Sequence, residues 1–409
     1  HPARRMKRPS SPPRRGRALA LLGLVLALAA PRIARADDAG APFEPVEEKK
    51  PYEIEAYVET HYQWNFNRPS NRITHLRGFD NRHNTFTLTN LALGGSFDAR
   101  GAFGRVMLQV GHTPSTYYLK EPSFPGASGT NATSAEVFKY VQEAYAGYRF
   151  AKVDGLSVAA GIFLSPVGLE TLAIHSSDQW SRSNLFFALP IYHTGVKLSY
   201  ALSDMIVATL AAYNGWNSVV DDNDGKSIAF DVQLMPLDAI AIAFVYFTGI
   251  ERPTGAPEGQ HWRHLFDLQM LAEAHRRLHF GLHFDGGVEP TRFGSSGWVA
   301  SALYARVTIL EEVLRFALRG DVFREYVARD GADTATPIFW PTKRLGSLTS
   351  TLDYRPHRNV SFRLEHRFDS AASDVFYRRQ VMGDGSPGSP YVANARRQNT
   401  ITLGATAWY

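Results

Sequence analysis

Residues 52–66 read Tyr-Glu-Ile-Glu-Ala-Tyr-Val-Glu-Thr-His-Tyr-Gln-Trp-Asn-Phe. Successive side chains of an extended chain point to opposite faces. Tyr52, Ile54, Ala56, Val58, Tyr62, Trp64 and Phe66 therefore share one face, and Glu53, Glu55, Glu59, His61 and Gln63 share the other. One side suits an apolar medium and the other suits water.

The same alternation recurs along the chain. Sixteen stretches carry it: 52–66, 84–98, 103–113, 137–150, 155–164, 191–201, 205–214, 226–236, 239–250, 261–273, 277–288, 297–309, 313–325, 344–354, 359–370 and 396–409. The links between them sort by parity. Those after even-numbered stretches are short, such as 99–102, 202–204 and 237–238. Those after odd-numbered stretches are long: 67–83, 114–136, 165–190, 215–225, 251–260, 289–296, 326–343 and 371–395. A meander with short turns on one rim and long loops on the other is the pattern of a transmembrane β-barrel. In hydrocarbon every backbone N–H and C=O needs an internal partner, and only a closed sheet has no edge. The expected fold is therefore an all-β transmembrane antiparallel β-barrel of about 16 strands (14–18), with short periplasmic turns and long extracellular loops. Residues 52–409 form it, and an even strand count places both termini on the periplasmic rim.

The faces agree. Ile240, Ile242, Phe244 and Tyr246 share a face, as do Leu278, Phe280, Leu282 and Phe284, then Leu314, Phe316 and Leu318, then Val360, Phe362 and Leu364. The alternating positions carry Asp231, Gln233, Asp267, Gln269, Arg315, Arg319, Asp321, Arg363, Glu365 and Arg367. A soluble barrel would put the apolar face inward and has about eight strands. Trp64, Tyr148, Trp262, Trp298, Tyr354 and Trp408 near strand ends suit the aromatic girdles of the two membrane interfaces. A barrel this wide leaves an aqueous lumen.

Composition removes other classes. No cysteine occurs, which excludes disulfide scaffolds, thiolate metal sites and cysteine nucleophiles. No apolar run reaches the ~18 residues of a membrane helix. Residues 1–36 read as a secretory signal peptide. Arg4, Arg5, Lys7, Arg8, Arg14, Arg15 and Arg17 form a basic region, Ala18 to Ala30 an apolar one, and Ala34-Arg35-Ala36 a cleavage site, with Met6 the expected start. Residues 37–51 are a polar, Pro-containing flexible periplasmic lead-in. The formal charge of +5 belongs to this precursor: without its nine basic residues, 35 basic residues face 39 acidic ones. A net of −4 removes any reading as a nucleic-acid binder. The expected location is the outer membrane.

Three stretches point to a family: Asp80-Asn81-Arg82-His83-Asn84-Thr85-Phe86; Ile191-Tyr192-His193-Thr194-Gly195-Val196-Lys197, followed by Tyr200 and Asp204; and Asn214-Gly215-Trp216-Asn217 with Asp222-Asn223-Asp224-Gly225-Lys226. Together they resemble the OmpL-like β-barrel porins, outer-membrane proteins of Gram-negative bacteria. The resemblance covers about 52–409 and is densest over 160–230. Trp408-Tyr409 is similar to the C-terminal aromatic signal of outer-membrane proteins. The resemblance implies a porin passing small hydrophilic solutes or ions by passive diffusion.

In general porins the third external loop folds into the lumen. By that analogy 165–190 carries Glu170 and Asp178 into the pore, with Trp180 and Arg182 beside them. Arg315, Arg319, Arg363 and Arg367 face them as the opposing charge of a constriction. The competing reading pairs these charges locally within a wide lumen, Arg319 with Asp321 and Arg363 with Glu365. The expected lumen face balances eight bases, Lys139, Arg149, Arg263, Arg306, Arg315, Arg319, Arg363 and Arg367, against eight acids, Glu53, Glu55, Glu59, Glu143, Asp231, Asp267, Asp321 and Glu365. The Glu53/Glu55/Glu59 arc and the arginines of stretches 13 and 15 come close on closure, which sets up a transverse field.

Other chemistry is set aside. Asp221-Asp222-Asn223-Asp224-Gly225 departs from a calcium loop, because Val220 stands where an acid is required. His279 and His283 share a face but lie ~13 Å apart, too far to chelate one metal. His175-Ser176-Ser177-Asp178 holds triad residue types in one short run, and a triad needs groups converging from separate elements. No enzyme activity, cofactor or metal is expected. The alternative function is a plugged barrel acting in binding, adhesion or structure. The expected partners are outer-membrane lipid and small solutes, and the apolar exterior also accommodates a homotrimer.

Overall fold

The computed structural model describes residues 51–118, 135–221 and 223–409. The signal peptide at 1–36, the lead-in up to residue 50, most of the 114–136 link and Asp222 lie outside the described residues.

Alternation becomes sheet as expected. The strands are β1 (Tyr52–Asn65), β2 (Thr85–Ala99), β3 (Ala102–Val110), β4 (Val141–Arg149), β5 (Leu156–Leu164), β6 (Tyr192–Ser203), β7 (Ile206–Tyr213), β8 (Ser227–Leu237), β9 (Ile240–Ile250), β10 (Trp262–His275), β11 (Leu278–Thr291), β12 (Gly294–Leu310) and β13 (Leu314–Tyr326). After the small hairpin β14 (Arg329–Asp330) and β15 (Asp333–Thr334) come β16 (Arg344–His357), β17 (Val360–Ala371) and β18 (Arg397–Trp408). All but the hairpin close into one sixteen-stranded antiparallel barrel, each strand beside its neighbour in sequence. The seam joins first strand to last, with register Tyr57↔Trp408 through Asn65↔Thr400.

The long links are L1 (66–84), L2 (111–140), L3 (165–191), L4 (214–226), L5 (251–261), L7 (327–343) and L8 (372–396). The sixth departs from the expected parity. Instead of a loop over 289–296, β11 and β12 run on and meet in a two-residue turn at Arg292 and Phe293. Thr291 Oγ1 donates to Gly294 O at 2.8 Å, and Gly294 has φ of 114°, a region open to glycine. Two other boundaries shift. Gly111 turns β3 into the short helix α1 (His112–Tyr117), and residues 135–140 form a 3-10 turn rather than the start of β4. Lys139 therefore pairs with exposed Glu136 on that turn and does not line the lumen.

The exterior is apolar as read. Phe280, Phe284, Leu318, Phe362 and Leu364 are exposed on the outer wall. Two girdle assignments are corrected. Trp298 points inward, buried, its Nε1 donating to Asp285 Oδ1 at 2.7 Å. Trp408 also points inward, since the alternating Gln398, Thr400, Thr402 and Thr406 are all buried, and its ring stacks on His175. Trp64, Tyr148, Trp262 and Tyr354 do lie on the outer wall.

The inner face differs from the uniform polar lining that alternation alone implies. Phe163, Tyr213, Phe247, Leu265, Trp298, Phe323 and Leu345 all point inward and are buried. Leu185, Ala188 and Leu189 of L3, Trp340 of L7 and Val375 and Phe376 of L8 pack on them. A hydrophobic core thus sits inside the barrel, towards the long-loop rim. A side chain there meets a folded-in loop rather than water, so apolar residues are favoured.

Candidate functional site

L3 is built around one arginine. Arg182 is buried, and its guanidinium donates to three L3 carbonyls: Thr171 O at 2.8 Å, Trp180 O at 2.7 Å and Leu172 O at 2.7 Å. Five donors in a fixed fork suit a group that closes a loop on itself. Its plane lies 5.6 Å from the Phe79 ring of L1 and 5.8 Å from the Phe186 ring. Phe79 also packs edge-on against Phe186 and Phe187, which joins L1 to L3.

The charged wall then holds this unit by its backbone. Glu365 of β17 accepts from Trp180 N at 2.5 Å and Ser181 N at 2.9 Å. Asp321 of β13 accepts from Asn184 N at 3.2 Å and Asn184 Nδ2 at 2.7 Å. Glu59 of β1 accepts from Ile174 N at 2.6 Å. Basic residues take the carbonyls. Arg319 donates to Ser181 O at 2.6 Å, Arg363 to Gln179 O at 3.1 Å, and Arg367 to Arg182 O and to Asn184 Oδ1 at 3.1 Å. Ionised partners roughly double the strength of a neutral hydrogen bond. Each buried L3 backbone group so held also avoids the cost of an unmade bond. The Trp180 indole packs against Gly404 of β18, where an added Cβ would stand 2.1 Å from the ring. Only glycine lets the loop approach that closely.

These contacts sort the expected constriction residues. Glu170 does not project into a pore: half-buried, it ion-pairs with Arg319 at 2.7 Å and accepts from Ser183. Arg182 is internal to L3. Arg319, Arg363 and Arg367 are buried beneath L3 and do not face it across water. Asp178 is only partly buried and pairs with Arg306 at 3.0 Å. Arg315 is half-buried with no ion pair among the described residues, and it lies in the field of Arg306 and Arg355. The acidic arc of β1 is dispersed. Glu53 is exposed, Glu55 is tied to Arg105, which also bonds Glu143, and Glu59 holds L3.

The lumen thus has two levels. Its upper level is filled by L1, L3, L7 and L8. The lower level, towards the short turns, keeps partly exposed inward charges: Glu55, Arg105, Lys197, Asp178, Arg315 and Arg355. The sequence reading missed Arg105, Arg355, and the pairing of His175 with Trp408. Among the described residues no three His, Asp or Glu converge as a metal site. His283 bonds Asp267 at 2.5 Å.

L1 adds a second buried charge cluster at the mouth. Arg77 pairs with Asp80, and with Asp369 at 3.2 Å. Burial alone would raise the Asp80 carboxyl, but the Arg77 guanidinium beside it holds it below the usual range.

A closed barrel with an even strand count, an apolar exterior, inward charges and an inserted third loop defines an outer-membrane porin barrel. The family follows from the sequence: residues 51–407 match the model described as "Putative beta-barrel porin-2, OmpL-like", and the chain belongs to that family. No curated protein matches the chain by sequence. Among solved structures, it is similar to an anion-selective porin from Comamonas acidovorans, with a TM-score of 0.57 at 10% identity, covering 88% of this chain and 99% of that one. The outer-membrane protein OmpT of Vibrio cholerae gives 0.52 at 7% identity, covering 88% and 97%. Salmonella typhi OmpF in complex with daunomycin gives 0.53 at 11%, covering 88% and 97%. At such identities the likeness speaks for the fold alone.

Proposed function

We propose that this porin is a water-filled, non-enzymatic channel in the outer membrane, exported through the signal at residues 1–36. It passes small hydrophilic solutes and ions passively, and L3 restricts their size. The observation that carries the reading is the clamp on L3. Six ionisable wall side chains, Glu59, Arg319, Asp321, Arg363, Glu365 and Arg367, bond to L3 backbone groups or Asn184. Such investment of charge fixes a loop in one position inside the barrel. Selectivity then falls to the lower level, where Arg315, Arg355 and Asp178, the last held by buried Arg306, meet water. The apolar exterior accommodates lipid and, equally, a homotrimer.

A second reading is favoured by one observation. The core formed by Trp298, Phe323, Phe339 and Trp340 within the upper lumen supports a plugged barrel that binds or anchors rather than conducts. One experiment separates the two. The barrel without residues 1–36 is refolded into a planar bilayer and single-channel steps are recorded. Steady steps that grow when 168–186 are deleted support the channel. A heat-modifiable barrel that conducts in neither form supports the plug.

A further inference from the structure

The long-loop rim is not the same all the way round. At the outer ends of β8 and β10 the outward side chains are apolar, Ile228 and Trp262 among them. At β13, β16 and β18 arginines stand there, with Tyr326 beyond the first of them on β13. Arg324, Arg344 and Arg397 are exposed, and each adjoins a buried inward residue, Phe323, Leu345 and Gln398. Alternation therefore turns all three to the outside of the barrel. Arg68 of L1 continues the row past the seam, its guanidinium 5.7 Å from the ring of outward Trp64.

Arg324 and Arg344 are direct cross-strand partners, an arrangement that costs stability between like charges. Among the described residues none of the four has an ion pair or a side-chain hydrogen bond. The nearby carboxylates are engaged elsewhere. Glu325 points inward and accepts from the amides of Ile338 and Trp340, Asp321 holds L3, and Asp374 pairs with Arg396 at 3.4 Å. Below the arginines the same strands carry apolar outward residues. A groove of about 750 Å³ crosses this wall from β2 to β16, lined by Phe86, Tyr62, Leu403, Ala405, Leu364 and Leu352.

We propose that this sector of the outer wall binds a lipid whose headgroup carries phosphate. The arginines meet the phosphate oxygens at the bilayer surface and the groove takes acyl chain. Charge complementarity selects this occupant. A guanidinium fork matches phosphate. A neutral lipid or an apolar subunit face would leave the opposed Arg324–Arg344 pair without compensation. The inference rests on the outer wall facing lipid and is independent of whether the lumen conducts.

The test uses the full barrel in phosphatidylcholine nanodiscs doped with bisphosphorylated lipid A or the same lipid after dephosphorylation. Lipid retained per barrel is counted by native mass spectrometry. Retention of the phosphorylated lipid over the dephosphorylated one is expected. The triple variant R324A/R344A/R397A should lose affinity on the order of a hundredfold, from about fivefold per arginine. R324K/R344K/R397K should keep much of it, and heat-modifiability should be unchanged in both. Equal retention of the two lipids, or by wild type and the alanine variant, would overturn the proposal. So would displacement of the lipid by equimolar inorganic phosphate, which assigns the row to free anions. A lipid-free oligomer abolished by the triple substitution would assign the face to a second copy and equally overturn it.

Discussion

L3 lies between two unlike walls. On β5, β7 and β9 it meets Phe163, Tyr213 and Phe247 through Val167, Leu185, Ala188 and Leu189. On β1, β13, β17 and β18 it meets Glu59, Asp321, Arg319, Glu365, Arg363, Arg367 and Gly404, mostly through its own backbone. The first wall contributes burial, which is large but tolerant of sliding. The second contributes directional bonds, which fix register. A loop inside a wide barrel needs both, since apolar contact alone would not select one position and ionic contact alone would be offset by desolvation.

The two walls predict separable failures. Glu365→Ala has the largest expected effect, because it strips the acceptor from Trp180 N, Ser181 N and Thr351 Oγ1. A loss of ~3–5 kcal/mol in L3 docking is expected. Hydrogen exchange should rise at Trp180–Asn184, with larger and noisier single-channel steps. Leu185→Ala probes the other wall at ~2–4 kcal/mol, and its exchange should rise at Leu185–Leu189 while Trp180 stays protected. If both variants loosen the whole loop alike, the division between walls fails.

Two smaller effects sharpen the contrast. The Asp80 carboxyl is held below its ordinary range, so its contribution to L1 docking is full above that range and is lost as pH falls through its folded value. Proteolysis in L1 should therefore begin only below about pH 4 and should precede unfolding of the barrel. Arg77→Gln should abolish that protection at neutral pH. Arg315→Gln touches neither wall contact with L3. It should move the reversal potential towards cations and change conductance by less than about twofold. A gross change in step size would mean that Arg315 does position L3 after all.

Much of the architecture was legible in Tyr52–Asn65 and its repeats, because the two-residue period of a strand is a local property. Loop parity was legible for the same reason, except at Arg292–Phe293. There Glu289, Pro290 and Thr291 read as loop residues yet pair with Ser296, Ser295 and Gly294. The site was legible in residue type only. Arg319, Arg363 and Arg367 stood out as charges, but their partners are L3 backbone carbonyls as much as 185 residues away, and Asp178 and Glu170 pair with the side chains of Arg306 and Arg319. No local pattern encodes such a pairing. Trp298 and Trp408 were misplaced because a terminal aromatic looks the same whether it meets a headgroup or a loop inside the barrel.

The seam between β1 and β18 also bears on how the molecule is made. Tyr409 N donates to Ala56 O at 2.8 Å, so a segment near the start of the described chain waits for one near its end. Every other strand pairs with a neighbour only a turn or loop away, and can zip up as it arrives. The final pairing must close a ring over some 350 residues, the contact of greatest sequence separation and hence the slowest to find. Until it forms, β1 presents a bare edge in a medium that offers it no hydrogen bonds. Ring closure is thus the step at which assembly commits, and a protein stalled before it presents the very edge that a membrane-insertion partner would have to shield.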